Sequence, residues 1–515
     1  MNAKFFVRRI PLKQLKFVIQ GMLVGLLGGL VVSLFRLTLQ KLLNLDKAFY
    51  TYAHENPYLL ILAAIFMILI GCMIGWLIKG EKNIKGSGIP QVKGQIQGDL
   101  ELNWWPVLWR KFIGGICSIG PGTFLGREGP SIQLGATVGQ GINQFTGGDS
   151  TNEKILITAG ASAGLSAAFN APVAGLLFGL EEIHHHFSST LLVTCFSASI
   201  TANFVSLNIF GMTPVLFLGD IPSFPLNHYL WLVLLAILLA ILGLIYQKVL
   251  FRLSDWYSHI HFLPSYLYGL IPLLLVIPIG YFVPDLLGGG ANVITSLNGA
   301  YFTLEFLIFV FILRFIYSMI SYGSGLPGGI FLPLLTLGAS LGAIYGHSIS
   351  TFFGVDDSLI RCFIIYGMAG YFTAICKAPL TGIILVSEMV GSLEVLMPIA
   401  IVSLVAYIAV DLMGGIPIYE GLLVNLLGEK KGNKKSNKKN HYTTFVYPVD
   451  VTNHSLVGKK VKEYSWPNDA LLVLIRKGEQ EVVPHGDTVI QAGNFLYISA
   501  DASQESMIRK KLDNQ

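Results

Sequence analysis

Glu128 is the residue with the most demanding chemistry in this chain. It lies in G-R-E-G-P (Gly126 to Pro130), with apolar stretches of membrane length on both sides. A charge at the bilayer centre costs about 2.5–3.5 kcal/mol on insertion scales, so carboxylates there are usually kept for function. Ionised, such a group can occupy a site built for an anion; protonated, it is neutral, loses that attraction and can swing out. The competing reading is a structural pair with Arg127, although sequence neighbours seldom pair well. Ser87, in G-S-G-I-P (Gly86 to Pro90), offers a hydroxyl at a glycine-flanked helix start. A third stretch, G-S-G-L-P-G-G-I-F-L-P (Gly323 to Pro333), leaves the amides of Ile330 and Phe331 open after Gly328 and Gly329. The first amides of a helix lack intrahelical partners, and the helix dipole adds positive character there. Partial charges of this kind suit an anion that must leave again better than lysine or arginine would.

Two further polar groups stand out. Glu181 and Glu182 close an apolar block that begins at Ala171, where a helix end reaching the surface would explain them without function. His184, His185 and His186 follow directly and titrate near neutral pH when unperturbed. Three successive histidines point around a helix rather than toward one metal. Five cysteines (Cys72, Cys117, Cys195, Cys362, Cys376) fall in apolar stretches without metal-like spacing, so buried free thiols are expected.

The elements that position these residues must be membrane helices. Only 13% of the 515 residues are charged and 53% are hydrophobic, against roughly 25% charged in soluble domains. Runs able to span about 30 Å of hydrocarbon occur at 18–40, 58–77, 191–212, 229–250, 266–282, 302–320 and 363–413. The first run is too long for a signal peptide and lacks a cleavage pattern. Lys4, Arg8, Arg9, Lys13 and Lys16 precede it, and six lysines lie between Lys430 and Lys439. The positive-inside rule then places both termini in the cytoplasm.

Glycine and proline cluster at Gly86–Pro90, Gly126–Pro130, Ala171–Pro172 and Gly323–Pro333, and each cluster should break or start a helix. Irregular backbone at membrane depth survives only where it is buried or lines a cavity. The chain also repeats itself. G-R-E-G-P-S-I-Q-L-G-A from Gly126 aligns with G-I-F-L-P-L-L-T-L-G-A from Gly329. A second pair, from Ala168 and from Ile375, shares the A-P step and a glutamate, Glu181 against Glu388. Paired interrupted segments in two halves point to a transport site at the repeat interface.

The three Gly/Pro motifs are similar to the signature motifs of the CLC family of chloride channels and chloride/proton antiporters, and the likeness covers roughly Lys16 to Leu427. The resemblance implies an all-α polytopic membrane protein, an inverted repeat of tilted and broken helices, assembled as a homodimer with one pore per subunit. It implies a chloride site made by the Ser87 hydroxyl, the Ile330 and Phe331 amides and the Tyr419 hydroxyl. Gly86, Gly88, Gly126, Gly129, Gly328 and Gly329 would shape the backbone around that site. Glu128 matches the external gating glutamate. Glu182 matches the glutamate that passes protons in the antiporters and that channels commonly lack, whereas Glu388 is expected to be structural. Ser87 resembles chloride-preferring members, and Tyr419 argues against the fluoride-exporting branch. Gln91 stands where many members carry glutamate, a position expected to turn away from the anion.

The expected activity is secondary active chloride/proton antiport at a bacterial cell membrane, with no metal, no cofactor and no enzymatic chemistry. A passive voltage- or pH-gated chloride channel shares every anion-site residue. A membrane-embedded enzyme would need a nucleophile or metal cluster that the sequence does not offer. The transport domain is expected over 1–427, in halves 16–212 and 229–427, followed by a lysine-rich linker over 428–441. The linker lies near inner-leaflet lipid and is not read as a nucleic-acid site. Residues 442–515 read as a small cytoplasmic α+β module, with strands at 443–446, 471–476, 481–483 and 495–499 and helices at 456–464 and 502–512. This tail resembles the RCK/TrkA C-terminal domain, best in N-H-S-L-V-G-K-K-V from Asn453 and in the run from Val483 to Tyr497. Such domains dimerise, and some relatives bind a cyclic dinucleotide in the dimer cleft.

Overall fold

The computed structural model describes residues 12–185, 187–297, 302–432, 442–449, 456–466, 470–477 and 480–501, together with Ile508 and Leu512. The chain divides into two compact units, 1–429 and 430–515. The first half of the larger unit holds α1 (Leu12–Ala53), α2 (Leu59–Gly80), α3 (Ile89–Gln97), α4 (Trp104–Ile119), α5 (Glu128–Phe145), α6 (Ser150–Phe169), α7 (Pro172–Phe178) and α8 (Ser189–Phe210). The second half holds α9 (Tyr229–Ser258), α10 (Leu270–Phe282), α11 (Ala291–Ser296), α12 (Leu304–Gly323), α13 (Phe331–Phe353), α14 (Ile360–Cys376), α15 (Pro379–Val390), α16 (Leu396–Leu412) and α17 (Ile418–Gly432). Among the described residues, eight helical stretches are long and apolar enough to cross a membrane. The unbroken apolar run expected over 363–413 is three helices, α14 to α16. Its first break falls just before Pro379, which starts α15 where its missing N–H costs nothing.

The two halves are related by reciprocal contacts. The amide of Gly126 donates to the Gly329 carbonyl at 2.7 Å, and the amide of Gly329 donates back to Gly126 at 2.7 Å. This antiparallel bridge brings the start of α5 against the start of α13. The second repeated block behaves in the same way. Glu388 accepts from the Val173 and Ala174 amides at 3.1 and 2.8 Å, at the start of α7. Glu181 accepts from the Leu380 and Thr381 amides at 3.2 and 2.7 Å, at the start of α15. Each glutamate satisfies first-turn donors of the helix opposite, so both are structural caps. α6 and α14 end on left-handed residues, Asn170 (φ 55°) and Lys377 (φ 58°), two residues before Pro172 and Pro379.

Small residues bring the helices of each half together. A Cβ at Gly135 or Gly160 would approach the other's carbonyl oxygen to 2.1 Å, so α5 and α6 meet backbone to backbone. Gly338 and Gly367 make the same crossing between α13 and α14, where an added Cβ would come within 2.3–2.5 Å of the other's carbonyl oxygen. Such crossings replace the hydrophobic driving force that lipid cannot supply.

The smaller unit carries a four-stranded antiparallel sheet in the order β1-β4-β2-β3, with β1 Tyr442–Pro448, β2 Leu471–Lys477, β3 Gln480–Val482 and β4 Asn494–Asp501. Its core gathers Tyr447, Leu456, Ile475, Leu496 and Ile498. The helix expected over 456–464 is instead a turn followed by a short 3-10 helix, Val461–Glu463. Gly458 is left-handed (φ 82°), and Lys460 is drawn into a bridge with Val489, which pulls this stretch out of helical geometry. The helix expected over 502–512 lies outside the described residues apart from Ile508 and Leu512. α17 runs to Gly432, so the first residues of the expected linker are helical; residues 433–441 lie outside the described part.

Candidate ion pathway

The turn that presents Ser87 is fastened from two sides. Buried Lys111 donates from Nζ to the carbonyls of Ile84 and Gly86 at 2.9 and 2.7 Å. The Gly86 carbonyl also accepts from the Gly328 amide at 3.0 Å, which ties the start of α3 to the loop before α13. That loop is held in turn by the Ser118 hydroxyl, which donates to the Pro327 carbonyl at 2.5 Å. Gly88 caps α3 in the left-handed region (φ 93°), where a Cβ would also strike the Gln133 side chain. The Ile84, Gly86 and Pro327 carbonyls and the Gly328 amide of this irregular backbone therefore have partners. The Ser87 hydroxyl does not: it is buried and makes no hydrogen bond.

Glu128 opens α5 and is fully buried. Its carboxylate lies against Gly126 and faces the amide of Leu332, in the first turn of α13, without a hydrogen bond of good geometry to either oxygen. The Arg127 Nε stands 3.8 Å from Glu128 Oε1, beyond hydrogen-bond distance. The pair is loose, and the structure gives little support to a purely structural role for it. The next residue, Gly129, abuts Ser87: a Cβ there would come to 2.4 Å from the Ser87 hydroxyl oxygen. Gly329 packs on Gly129 in the same way, and Gly328 packs on Leu125.

Ile330 caps α13, and Phe331 begins it. The Phe331 ring is walled by Phe372, Phe169 and Phe178, with centroids at 4.7, 5.5 and 6.1 Å. Tyr419, in the first turn of α17, is fully buried, and its hydroxyl finds no nitrogen or oxygen partner; the Cys376 thiol is beside it. Tyr322 lies between these groups. Its hydroxyl faces the Ser87 amide, and it is within electrostatic reach of Tyr419. The sequence reading missed Tyr322 and Leu332. The available signal was position: Tyr322 directly precedes the G-S-G-L-P break, and Leu332 is the next residue with an amide after Phe331.

Two cavities of about 430 Å³ approach this group. One is lined by Ser87, Tyr322, the end of α9 from Leu250 to Ser258, and Leu422 and Asn425 of α17. The other is lined by Arg36, Arg127, Leu332 and the Thr213–Val215 segment ahead of α9. The first cavity is thus walled by the C-terminal part of α9, whereas the second is walled by α1, the end of α8 and the segment that follows it. Between them stands the Glu128–Gly129 step, with Leu332 on one side and Ser87 on the other. Arg36 donates to Asn170 at 2.9 Å and stacks on Phe210, so a second fixed cation joins Arg127 in the wall of that cavity. Gln91 makes no hydrogen bond to the Ser87 hydroxyl. It lines the Ser87 cavity, and its amide donates to the Lys85 carbonyl at 2.9 Å.

Glu182 lies in a π-helical turn, Gly179–His184, and is buried. The extra residue of that turn separates the roles of two adjacent carboxylates: Glu181 caps α15, and Glu182 points toward α3. There it meets the buried ammonium of Lys93 at 3.1 Å. Lys93 also reaches Glu420 at 3.3 Å, and Glu420 lies 3.6 Å from His185 Nε2. The histidines do not continue around a helix as expected. His184 ends the π-helix against the Thr158 hydroxyl, and His185 adopts a left-handed conformation (φ 56°) that turns its ring toward Glu420. His186 lies outside the described residues. No group of three metal-ligating side chains occurs among the described residues.

Two inverted halves, with broken helices meeting at a buried carboxylate between two cavities, define a membrane transport protein of the inverted-repeat class. The chain belongs to the voltage gated chloride channel family, whose model matches residues 67–411. A TrkA-C domain matches residues 446–513. The chain is 32% identical over 430 residues to the H(+)/Cl(-) exchange transporter ClcA of Salmonella arizonae, covering 81% of this chain and 90% of that one. It is similar in structure to a slow cyanobacterial Cl-/H+ antiporter (TM-score 0.76, 29% identity, 81% of this chain and 99% of the other). A eukaryotic CLC transporter shares the fold (TM-score 0.66, 21% identity, 80% of this chain and 74% of the other).

Proposed function

We propose that this multi-pass membrane protein is a chloride/proton antiporter of the cell membrane, working as a homodimer with one ion pathway per subunit. The observation that carries the reading is the set of buried polar atoms that make no hydrogen bond on the Ser87 hydroxyl, the Tyr419 hydroxyl and the Glu128 carboxylate. A buried polar group without a partner costs about 1–3 kcal/mol, a cost that a transported anion removes at the hydroxyls. Chloride is held by Ser87, Tyr419 and the amides of Ile330 and Phe331, and the Glu128 carboxylate competes for the same positive field. On protonation it loses that attraction, so one movement carries a proton and clears the anion path. Glu182 supplies the proton from the other side. The exchange activity named for the relatives agrees with this use of two carboxylates.

The orientation follows from the positive-inside rule and from the fate of α17. Its residues line the Ser87 cavity, and the chain continues from it into the lysine-rich stretch, so that cavity faces the cytoplasm and the Arg127 cavity faces outward. Both termini are then cytoplasmic, as in a bacterial inner-membrane protein. The test is made in sealed vesicles with purified protein. A chloride gradient should drive protons against their own gradient; brisk chloride flux without proton movement would overturn antiport in favour of a channel.

The TrkA-C domain is proposed to bind a cyclic dinucleotide and to modulate transport. Titrating the full-length protein with cyclic dinucleotides should raise its unfolding temperature by mass action. An unchanged temperature across the set would leave the domain without that role.

A further inference from the structure

The ion cluster on the cytoplasmic side is centred on Lys93. Lys93 has no exposed side-chain surface, yet its ammonium is shared between two carboxylates that differ in setting. Glu182 is almost fully buried, whereas the Glu420 side chain is 45% exposed. Glu420 follows Tyr419 directly, and both lie in the first turn of α17. His185 adds an imidazole beside Glu420. Around Glu182, the other polar groups are Glu181, committed to the start of α15; Cys376 of α14; Tyr419 of α17; and His184, held by Thr158 of α6.

We infer that Lys93 is a positioning residue for proton uptake, bridging Glu182 to Glu420 so that proton loading is linked to the element carrying Tyr419. This rests on the reading of Glu182 as the inner proton carrier. A buried ammonium with a single partner would be left bare each time that partner took up a proton, which would oppose uptake. With two carboxylates in reach, Lys93 stays paired to Glu420 while Glu182 is neutral. Glu420 is the solvent-facing member, so a proton arriving from the cytoplasm meets it, or His185, before reaching Glu182. A shift of the ammonium toward Glu420 then acts on the first turn of α17, where Tyr419 contributes to the anion path.

The test compares Lys93→Met, Lys93→Arg and Glu420→Gln in proteoliposomes, reading chloride and proton flux against cytoplasmic pH. Lys93→Met should lower the number of protons moved per chloride at least threefold. It should also move half-maximal proton uptake to higher pH, because a carboxylate relieved of a neighbouring cation holds its proton more tightly. Glu420→Gln should move the midpoint the opposite way, since Lys93 is then left to Glu182 alone. Lys93→Arg should restore the ratio to within twofold of the parent. A Lys93→Met protein with the parental ratio and midpoint would overturn the inference, as would shifts of the same sign in Lys93→Met and Glu420→Gln. Glu182→Gln is run in parallel: if it still pumps protons, the reading of Glu182 fails first. If Glu182→Gln stops protons while Lys93→Met behaves as the parent, only the role of Lys93 is lost.

Discussion

Replacing Glu128 by glutamine should reduce proton transport to that of protein-free vesicles while chloride continues to cross. The side chain keeps its size, and the site it fills is tight: the carboxylate lies against Gly126 and faces the Leu332 amide. What is lost is the ability to gain and release a proton. A neutral amide also competes poorly with chloride for amide donors, so the pH dependence of chloride flux should flatten as well. In the parent, acidification on the Arg127 side should raise chloride flux, because a protonated carboxyl no longer holds the anion position. In the variant this rise should disappear. Paired flux measurements between about pH 4.5 and 7.5, bracketing the ordinary carboxylate range and neutrality, check both points. Proton pumping retained in Glu128→Gln would remove this residue from the exchange mechanism.

The second large effect is expected at Glu182→Gln, where proton flux should be lost and chloride flux should persist. Glu182 is proposed to pass protons; it is close enough to Tyr419 to act on it electrostatically and is not part of the Arg127 cavity lining. Removing one partner of a buried ion pair often costs about 3–5 kcal/mol, which raises the question of folding. Here Glu420 remains 3.3 Å from the Lys93 ammonium, so the charge keeps a partner. The variant should therefore purify as the parent does, a point that its melting temperature checks. Loss of chloride flux with proton flux retained would contradict the assignment.

The features legible in the sequence were those written in local chemistry. The Gly/Pro breaks placed the starts of α3, α5 and α13, and the aligned blocks paired Gly126 with Gly329 as repeat equivalents, which the structure joins in a backbone bridge. The pairing of Glu181 with Glu388 in that alignment is a matched pair of helix caps, which leaves Glu182, and not its neighbour, without a capping role. The unpredicted features depend on distance along the chain. Lys93 is separated from Glu182 by 89 residues and from Glu420 by 327, and nothing in its local run distinguishes it from a surface lysine. Tyr322 meets the Ser87 turn only because the loop before α13 folds back onto Gly86. The π-helical turn at Gly179–His184 and the left-handed His185 redirected residues that a regular helix would have spread around its circumference. In the tail, strand alternation was readable, but the bridge between Lys460 and Val489 overrode the helical pattern from Leu456 onward.

In the proposed mechanism chloride and protons share one obligatory cycle. The most direct measurement is the zero-current voltage of the reconstituted protein under a fixed chloride gradient, recorded as a pH gradient is imposed across the same membrane. Coupled exchange predicts that the voltage departs from the chloride equilibrium potential and moves with the pH gradient, and that Glu128→Gln returns it to the chloride value. A voltage fixed at the chloride equilibrium potential at every pH gradient would contradict it.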